Sequence, residues 1–371
     1  MISAERLKMA REMRGWTQAE LARRAKVTQS TIAQLEGGRI QPTNELQEAL
    51  AIQLGFLPSF FEQDQPIDFP LGSLLFRRRA AMTATEEKQT HRHGQLLFEI
   101  AKRWSSRVKL PPVIIPRDID DPIAAARATR SALGLSPASP IPNVIQAVER
   151  GGVLIFVLPL QIEQGDGFSS WAGPNLDTPT IALWRVAAGD RVRMTVAHEL
   201  GHLVLPSHRA ALAQPAILED EAYRFAAEFL TPEAAMREEL TQPITLAGLA
   251  QMKPRWGISI QALIRRAYTL EIISKRQYTY LMEQVSVKGW RLREPANLDI
   301  AVEKPRAFRK IAEVLYGDPI NMQRLGADLG IPTARAKEIL SGHGTKSDLI
   351  RSVPDGRAKP DNIRQFGRKD A

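Results

Sequence analysis

Five residues, His198-Glu199-Leu200-Gly201-His202, constrain this chain more than any others. Residues four apart share one face of a helix, so the two imidazoles can reach a single ion only if the segment is helical. Glu199 then stands beside them, placed to take a proton from an attacking water. The flanking Val196, Ala197, Leu203 and Val204 call for a buried helix. The 371 residues include no cysteine, which removes thiolate metal sites, disulfide scaffolds and cysteine nucleophiles. A hydrolytic zinc needs three protein ligands and an open position. The third ligand must therefore be Asp, Glu or His.

Residues 219–232 (EDEAYRFAAEFLTP) supply carboxylates within reach. Ala222, Phe225, Ala226, Phe229 and Leu230 form an apolar helical face, and Glu221 borders it. Glu219 and Glu228 are its rivals, while Asp220 points further away. His208 is close in sequence, but Leu205-Pro206 breaks the helix before it. His91-Arg92-His93 reads as a solvated basic helix face in preference to a second metal site.

HELGH followed by E-A-x-x-F-A-A-x-F-L-x-P resembles the ImmA/IrrE metallopeptidases over roughly residues 118–235. Asp166-Gly167-Phe168-Ser169 and Thr180-Ile181-Ala182-Leu183 resemble the two short strands that precede the motif helix in that family. The resemblance implies an α+β zincin-like fold and one zinc per chain held by His198, His202 and Glu221. It also implies Glu199 as general base of an endopeptidase. Tyr223 and His208 are candidate oxyanion donors, and the strand with Phe168 and Ser169 is a candidate edge for aligning a peptide. Pro206 and Tyr223 stand where the family often has His and Asn, and neither position is a metal ligand in the family pattern.

The first 57 residues read as four short helices with capped starts at Ser3, Thr17, Thr28 and Pro42-Thr43-Asn44. Residues 16–22 (WTQAELA) and 27–39 (VTQSTIAQLEGGR) resemble XRE-type, lambda-repressor-like helix-turn-helix domains. The resemblance makes the third helix a major-groove reader. Gln29, Thr31 and Gln34 suit base edges, and Gln18, Ser30 and Arg39 suit phosphates. One such module reads a half-site, so a homodimer on a double-stranded operator is expected.

Net charge is +9, but residues 1–70 hold 8 Lys/Arg against 9 Asp/Glu, so the positive charge lies elsewhere. Residues 77–109 and 253–293 carry it, with 9 basic against 3 acidic and 9 against 2. No apolar run approaches the ~18 residues of a membrane span, and the N-terminus has no signal-peptide core, so a cytoplasmic protein with no membrane partner is expected.

The pattern predicts a multidomain, mainly α protein with a small β-sheet. Its parts are an all-α helix-turn-helix head at 1–61, a linker and helical connector at 62–117 and a zinc peptidase domain at 118–240. A helical extension follows at 241–295, and a helical region with a frayed basic tail closes the chain at 296–371. Trp256, Tyr268, Tyr278 and Trp290 are expected in the core. Residues 322–340, with Gly330 at the turn, read either as a second DNA-reading pair or as a hairpin that caps the protein. The functional expectation is a DNA-binding regulator with a conditional zinc endopeptidase. It would cleave a partner regulator, such as another helix-turn-helix repressor, or its own segment near 62–80. The alternative is a repressor or antitoxin-like protein whose peptidase fold only senses or scaffolds.

Overall fold

The computed structural model describes residues 1–70, 83–160, 166–184, 188–206 and 214–351. The head has five helices: α1 (Ala4–Met13), α2 (Gln18–Ala25), α3 (Gln29–Glu36), α4 (Asn44–Leu54) and α5 (Pro58–Phe61). Thr17, Thr28 and Thr43 each accept the N–H three residues on, which starts the second, third and fourth helices where the sequence places them. Ser3 occupies the cap position of α1 without a side-chain bond. A long α6 (Ala84–Ser105) follows, opened by a reciprocal Thr83–Glu86 capping box.

The middle of the chain begins with α7 (Pro122–Ala132) and α8 (Val144–Arg150). The strands are β1 (Leu154–Val157), β2 (Gly167–Ala172) and β3 (Thr178–Leu183), in the order β1-β3-β2. β1 runs parallel to β3 with Ile155 opposite Ile181, and β2 runs antiparallel with Ser169 opposite Ile181. Next come the motif helix α9 (Gly189–Val204), then α10 (Pro215–Leu230) and α11 (Glu233–Glu239). Residues 246–290, expected to be wholly helical, hold three helices: α12 (Leu246–Trp256), α13 (Ile260–Thr269) and α14 (Lys275–Val287). The C-terminal set is α15 (Ala307–Tyr316), α16 (Met322–Leu329), α17 (Thr333–Ser341) and α18 (Lys346–Arg351).

Side chains alternate across a pleated sheet, so this small sheet separates two cores. Ile155, Ile181 and Leu183 face one core, shared with α7 to α14. Leu154, Phe156, Phe168, Ala182 and Trp184 face the other. That second core is continuous with the head, α6 and the C-terminal helices. Trp256 is fully buried, whereas Tyr268, Tyr278 and Trp290, also expected in the core, are only partly buried at its margin, the two tyrosine rings 4.8 Å apart.

Docking of the head is the feature the sequence did not reveal. Phe69, in the stretch expected to be a linker, is buried. Arg6 is 2% exposed and forms an ion pair with Glu99 of α6, while its Nε donates to Asp64 O at 2.7 Å. Arg92 pairs with Glu12 at 2.7 Å, and His93 packs against Met13 O. The His91-Arg92-His93 run is therefore not a solvated face. It lines the seam with the head, because burying α1 against α6 requires partners for Glu12 and for the Met13 carbonyl. From the other side, Leu57 N donates to Gly330 O at 2.9 Å. Arg335 reaches Gly55 O at 3.2 Å and lies 4.1 Å from the Phe56 ring. The α16–α17 hairpin packs on the head in this way.

His343 holds the C-terminal segment to the sheet. Its Nδ1 donates to Ile339 O at 3.0 Å, and Val157 N donates to its Nε2. Burial, with help from the Arg309 charge, pushes its pKa down to about 4. The unfolded chain, with an ordinary imidazole near 6.5, takes up this proton first. His343 is thus neutral to stability above pH ~6.5 and costs up to about 3 kcal/mol as pH falls toward 4. Urea midpoints at pH 7 and 4.5 should differ less in His343→Phe than in the wild type.

Candidate metal centre and nucleic-acid interface

Two helices build the metal centre. Gly201 lies between the two motif histidines, and a Cβ there would stand 3.1 Å from the Phe225 ring and 3.3 Å from Ala222 Cα. The glycine and the facing alanine let α9 and α10 approach closely. This contact presents one edge of α10 to His198 and His202. Their Nε2 atoms are 3.2 Å apart. His198 Nε2 lies 3.3 Å from Glu219 Oε2, and His202 Nε2 lies 3.3 Å from Glu219 Oε1.

The carboxylate at the histidines is thus that of Glu219, not the expected Glu221. Positions two apart on a helix lie about 200° apart around its axis. Glu219 and Glu221 therefore flank the buried stripe of Ala222, Phe225, Ala226 and Phe229 on opposite edges. Packing of Ala222 on Gly201 decides which edge meets the motif. Glu228 is occupied elsewhere, with Arg127 at 2.9 Å and Arg266, and it also accepts from Glu233 N.

These donors suit a metal ion. Ligands about 2.1 Å from a tetrahedral zinc stand about 3.4 Å from one another, close to the separations above. His198, His202 and Glu219 are the one group of three potential ligands that meets this closeness among the described residues. Among the described residues, His198 Nδ1 is buried without a hydrogen-bond partner, and Glu219 Oε1 has only the 3.3 Å approach of His202 Nε2. Burial alone would raise the Glu219 carboxyl, but the two histidines outweigh it and hold the group far below the usual carboxylate range.

Glu199 is fully buried, and Ser169 Oγ donates to its Oε2 at 2.8 Å. Phe168, the other residue expected on the substrate side, turns its side chain into the opposite core. Alternation along β2 sends adjacent side chains to opposite faces, so Phe168 cannot offer its side chain to a peptide. Trp184 N donates to Asp166 O, so the outward-facing backbone positions on β2 are Gly167, Ser169 and Trp171. Tyr223 is 55% exposed, with its ring 4.3 Å from that of His198. His208 lies outside the described residues.

In the head, Gln29 and Ser30 are exposed at the start of α3, with Thr31 and Gln34 half-buried and Arg39 exposed beyond its end. Gln29 Nε2 donates to Gln18 Oε1 at 3.0 Å, and Gln18 Nε2 donates to Glu36 Oε2 at 2.9 Å. Arg11 fixes Glu36 in turn, at 2.6 Å. This relay runs from the core to the exposed Gln29 and holds its amide before any ligand arrives.

Two sequence families match the two sites. Residues 4–59 match a helix-turn-helix domain. Residues 148–268 match a peptidase family described as the IrrE N-terminal-like domain, and the match runs past the motif helices into α13. The chain joins a helix-turn-helix DNA-binding domain to an IrrE-like, metallopeptidase-like domain. No curated protein matches it. No helix among the described residues is long and apolar enough to cross a membrane.

Proposed function

We propose that this chain is a DNA-binding regulator whose second domain is a zinc endopeptidase acting on a regulatory protein. The observation that carries the reading is the position of Glu199, buried beside the His198–His202–Glu219 cluster. A protein that used this fold only as a scaffold would have no need of the base. Zinc held by these three residues would supply the Lewis acidity that polarises a scissile carbonyl and activates water. Glu199 takes the water's proton and returns it to the leaving amine. Tyr223, exposed beside His198, is the best-placed oxyanion donor among the described residues. The outer edge of β2 pairs with an extended peptide. The substrate is another helix-turn-helix repressor or similar regulator, and cleavage awaits a signal. In the head, Gln29, Thr31 and Gln34 read base edges while Gln18, Ser30 and Arg39 hold phosphates. Two copies then cover a two-fold operator in the cytoplasm.

One experiment addresses both halves. Zinc-loaded wild type and Glu199→Gln are incubated with the products of neighbouring genes, with and without duplex DNA, while anisotropy follows DNA affinity. Cleavage by wild type alone supports the peptidase, and equal cleavage by Glu199→Gln assigns it to a contaminant. Silence of the wild type under every condition favours the repressor-only alternative. Gln29→Ala and Gln34→Ala should each weaken binding to a selected operator by about 1–3 kcal/mol. Arg39→Ala should weaken binding to all sequences alike.

A further inference from the structure

The geometry points to Ser169 as the positioning residue that aims the Glu199 carboxylate, an inference that rests on the peptidase reading above. Ser169 is 2% exposed and Glu199 fully buried, and they meet through the 2.8 Å bond from Ser169 Oγ to Glu199 Oε2. A glutamate side chain has three rotatable bonds, so being on the right helix does not fix where its carboxylate points. Tethering one oxygen to a fixed donor sets the direction in which the carboxylate points. The serine itself cannot drift. Its strand is paired to β3 with Ser169 opposite Ile181. The preceding Phe168 is locked in the other core, with its ring centroid 6.0 Å from that of Phe69 and 5.9 Å from that of Trp184. Gly94 of α6 closes the space behind it, since a Cβ there would stand 3.0 Å from both the Phe168 and Phe69 rings. A one-residue slip would carry Phe168 into the site and Ser169 into the core. The strand thus has two faces with separate tasks, an anchor at Phe168 and a guide at Ser169.

A purely structural hydroxyl would affect stability. A positioning hydroxyl also affects how well Glu199 accepts a proton. Acetohydroxamate binding to the zinc-loaded protein reads this without any peptide substrate, because the hydroxamic acid gives up a proton that a correctly aimed Glu199 receives. Calorimetry is run on wild type, Ser169→Ala, Ser169→Thr and Glu199→Gln, with the zinc content of each measured. We expect about one zinc per chain in all four. Affinity should fall roughly tenfold in Ser169→Ala, the scale seen when an outer hydrogen-bond partner is lost. It should fall at least as far in Glu199→Gln and be restored in Ser169→Thr. Wild-type affinity in Ser169→Ala, beside a loss in Glu199→Gln, overturns the positioning role and leaves the peptidase reading intact. Wild-type affinity in Glu199→Gln overturns the reading of Glu199 as base, and this inference with it. Loss of zinc from Ser169→Ala, or failure of Ser169→Thr to restore affinity, assigns the serine to packing and overturns the proposal.

Discussion

Glu219→Ala should leave the purified protein without bound zinc, while Glu221→Ala retains it. Glu219 is the carboxylate that meets both motif histidines at 3.3 Å, and Glu221 lies on the opposite edge of α10. Losing one of three ligands costs on the order of 3 kcal/mol, or roughly a hundredfold in affinity. Metal analysis after dialysis against a weak chelator reads the difference directly. Glu199→Gln should keep the metal and lose proteolysis by about 10²–10⁴-fold, the usual range for a general base. Full zinc in Glu219→Ala, with loss in Glu221→Ala, would return the third ligand to the position that the family resemblance implied.

The second large effect concerns the seam between the head and the C-terminal hairpin. Gly330 ends α16 with φ +69°, and a Cβ there would stand 2.7 Å from both N and Cα of Phe60. Those are backbone atoms of a buried residue, so no rotamer change relieves the clash. Gly330→Ala should therefore combine left-handed strain of about 1–2 kcal/mol with forced opening of the seam, for a total of about 3 kcal/mol or more. Gly134→Ala is the control. Its φ is +64°, but nothing lies within 4 Å of the added carbon. Urea denaturation monitored by tryptophan fluorescence should show a much larger shift for Gly330→Ala. Equal shifts would mean that the hairpin does not pin the head at this point.

Local signals account for what the sequence disclosed. The two histidines and Glu199 were readable because their spacing and the helix period coincide. Thr17, Thr28 and Thr43 marked the starts of head helices because capping is a contact over three residues. The sequence narrows the third ligand to a few carboxylates on α10 and favours Glu221, whereas the structure brings Glu219 to the histidines. Glu219 and Glu221 flank the same apolar stripe, and only the Gly201–Ala222 contact chooses between them. The sequence marks Ser169 as a strand residue near the motif, but its bond to Glu199 spans 30 positions and depends on strand register. The basic run at His91-Arg92-His93 resembled a solvated surface because its acidic partner, Glu12, lies 80 residues away. Residues 71–80, part of the segment considered for self-cleavage, lie outside the described residues.

The core shared by the head, α6 and the C-terminal helices separates two events that are easily equated, a nick and a release. Severing the backbone between residues 61 and 83 would remove one covalent link. It would leave the Arg6–Glu99 and Arg92–Glu12 ion pairs, the Leu57–Gly330 hydrogen bond and the buried side chains around Phe60 and Phe98 in place. Each half would have to expose apolar surface to depart, at about 25 cal/mol for every Å² wetted. The cut protein would therefore keep its DNA-reading helix attached to the peptidase as a two-piece complex. It would migrate as one species on a sizing column and as two only after denaturation.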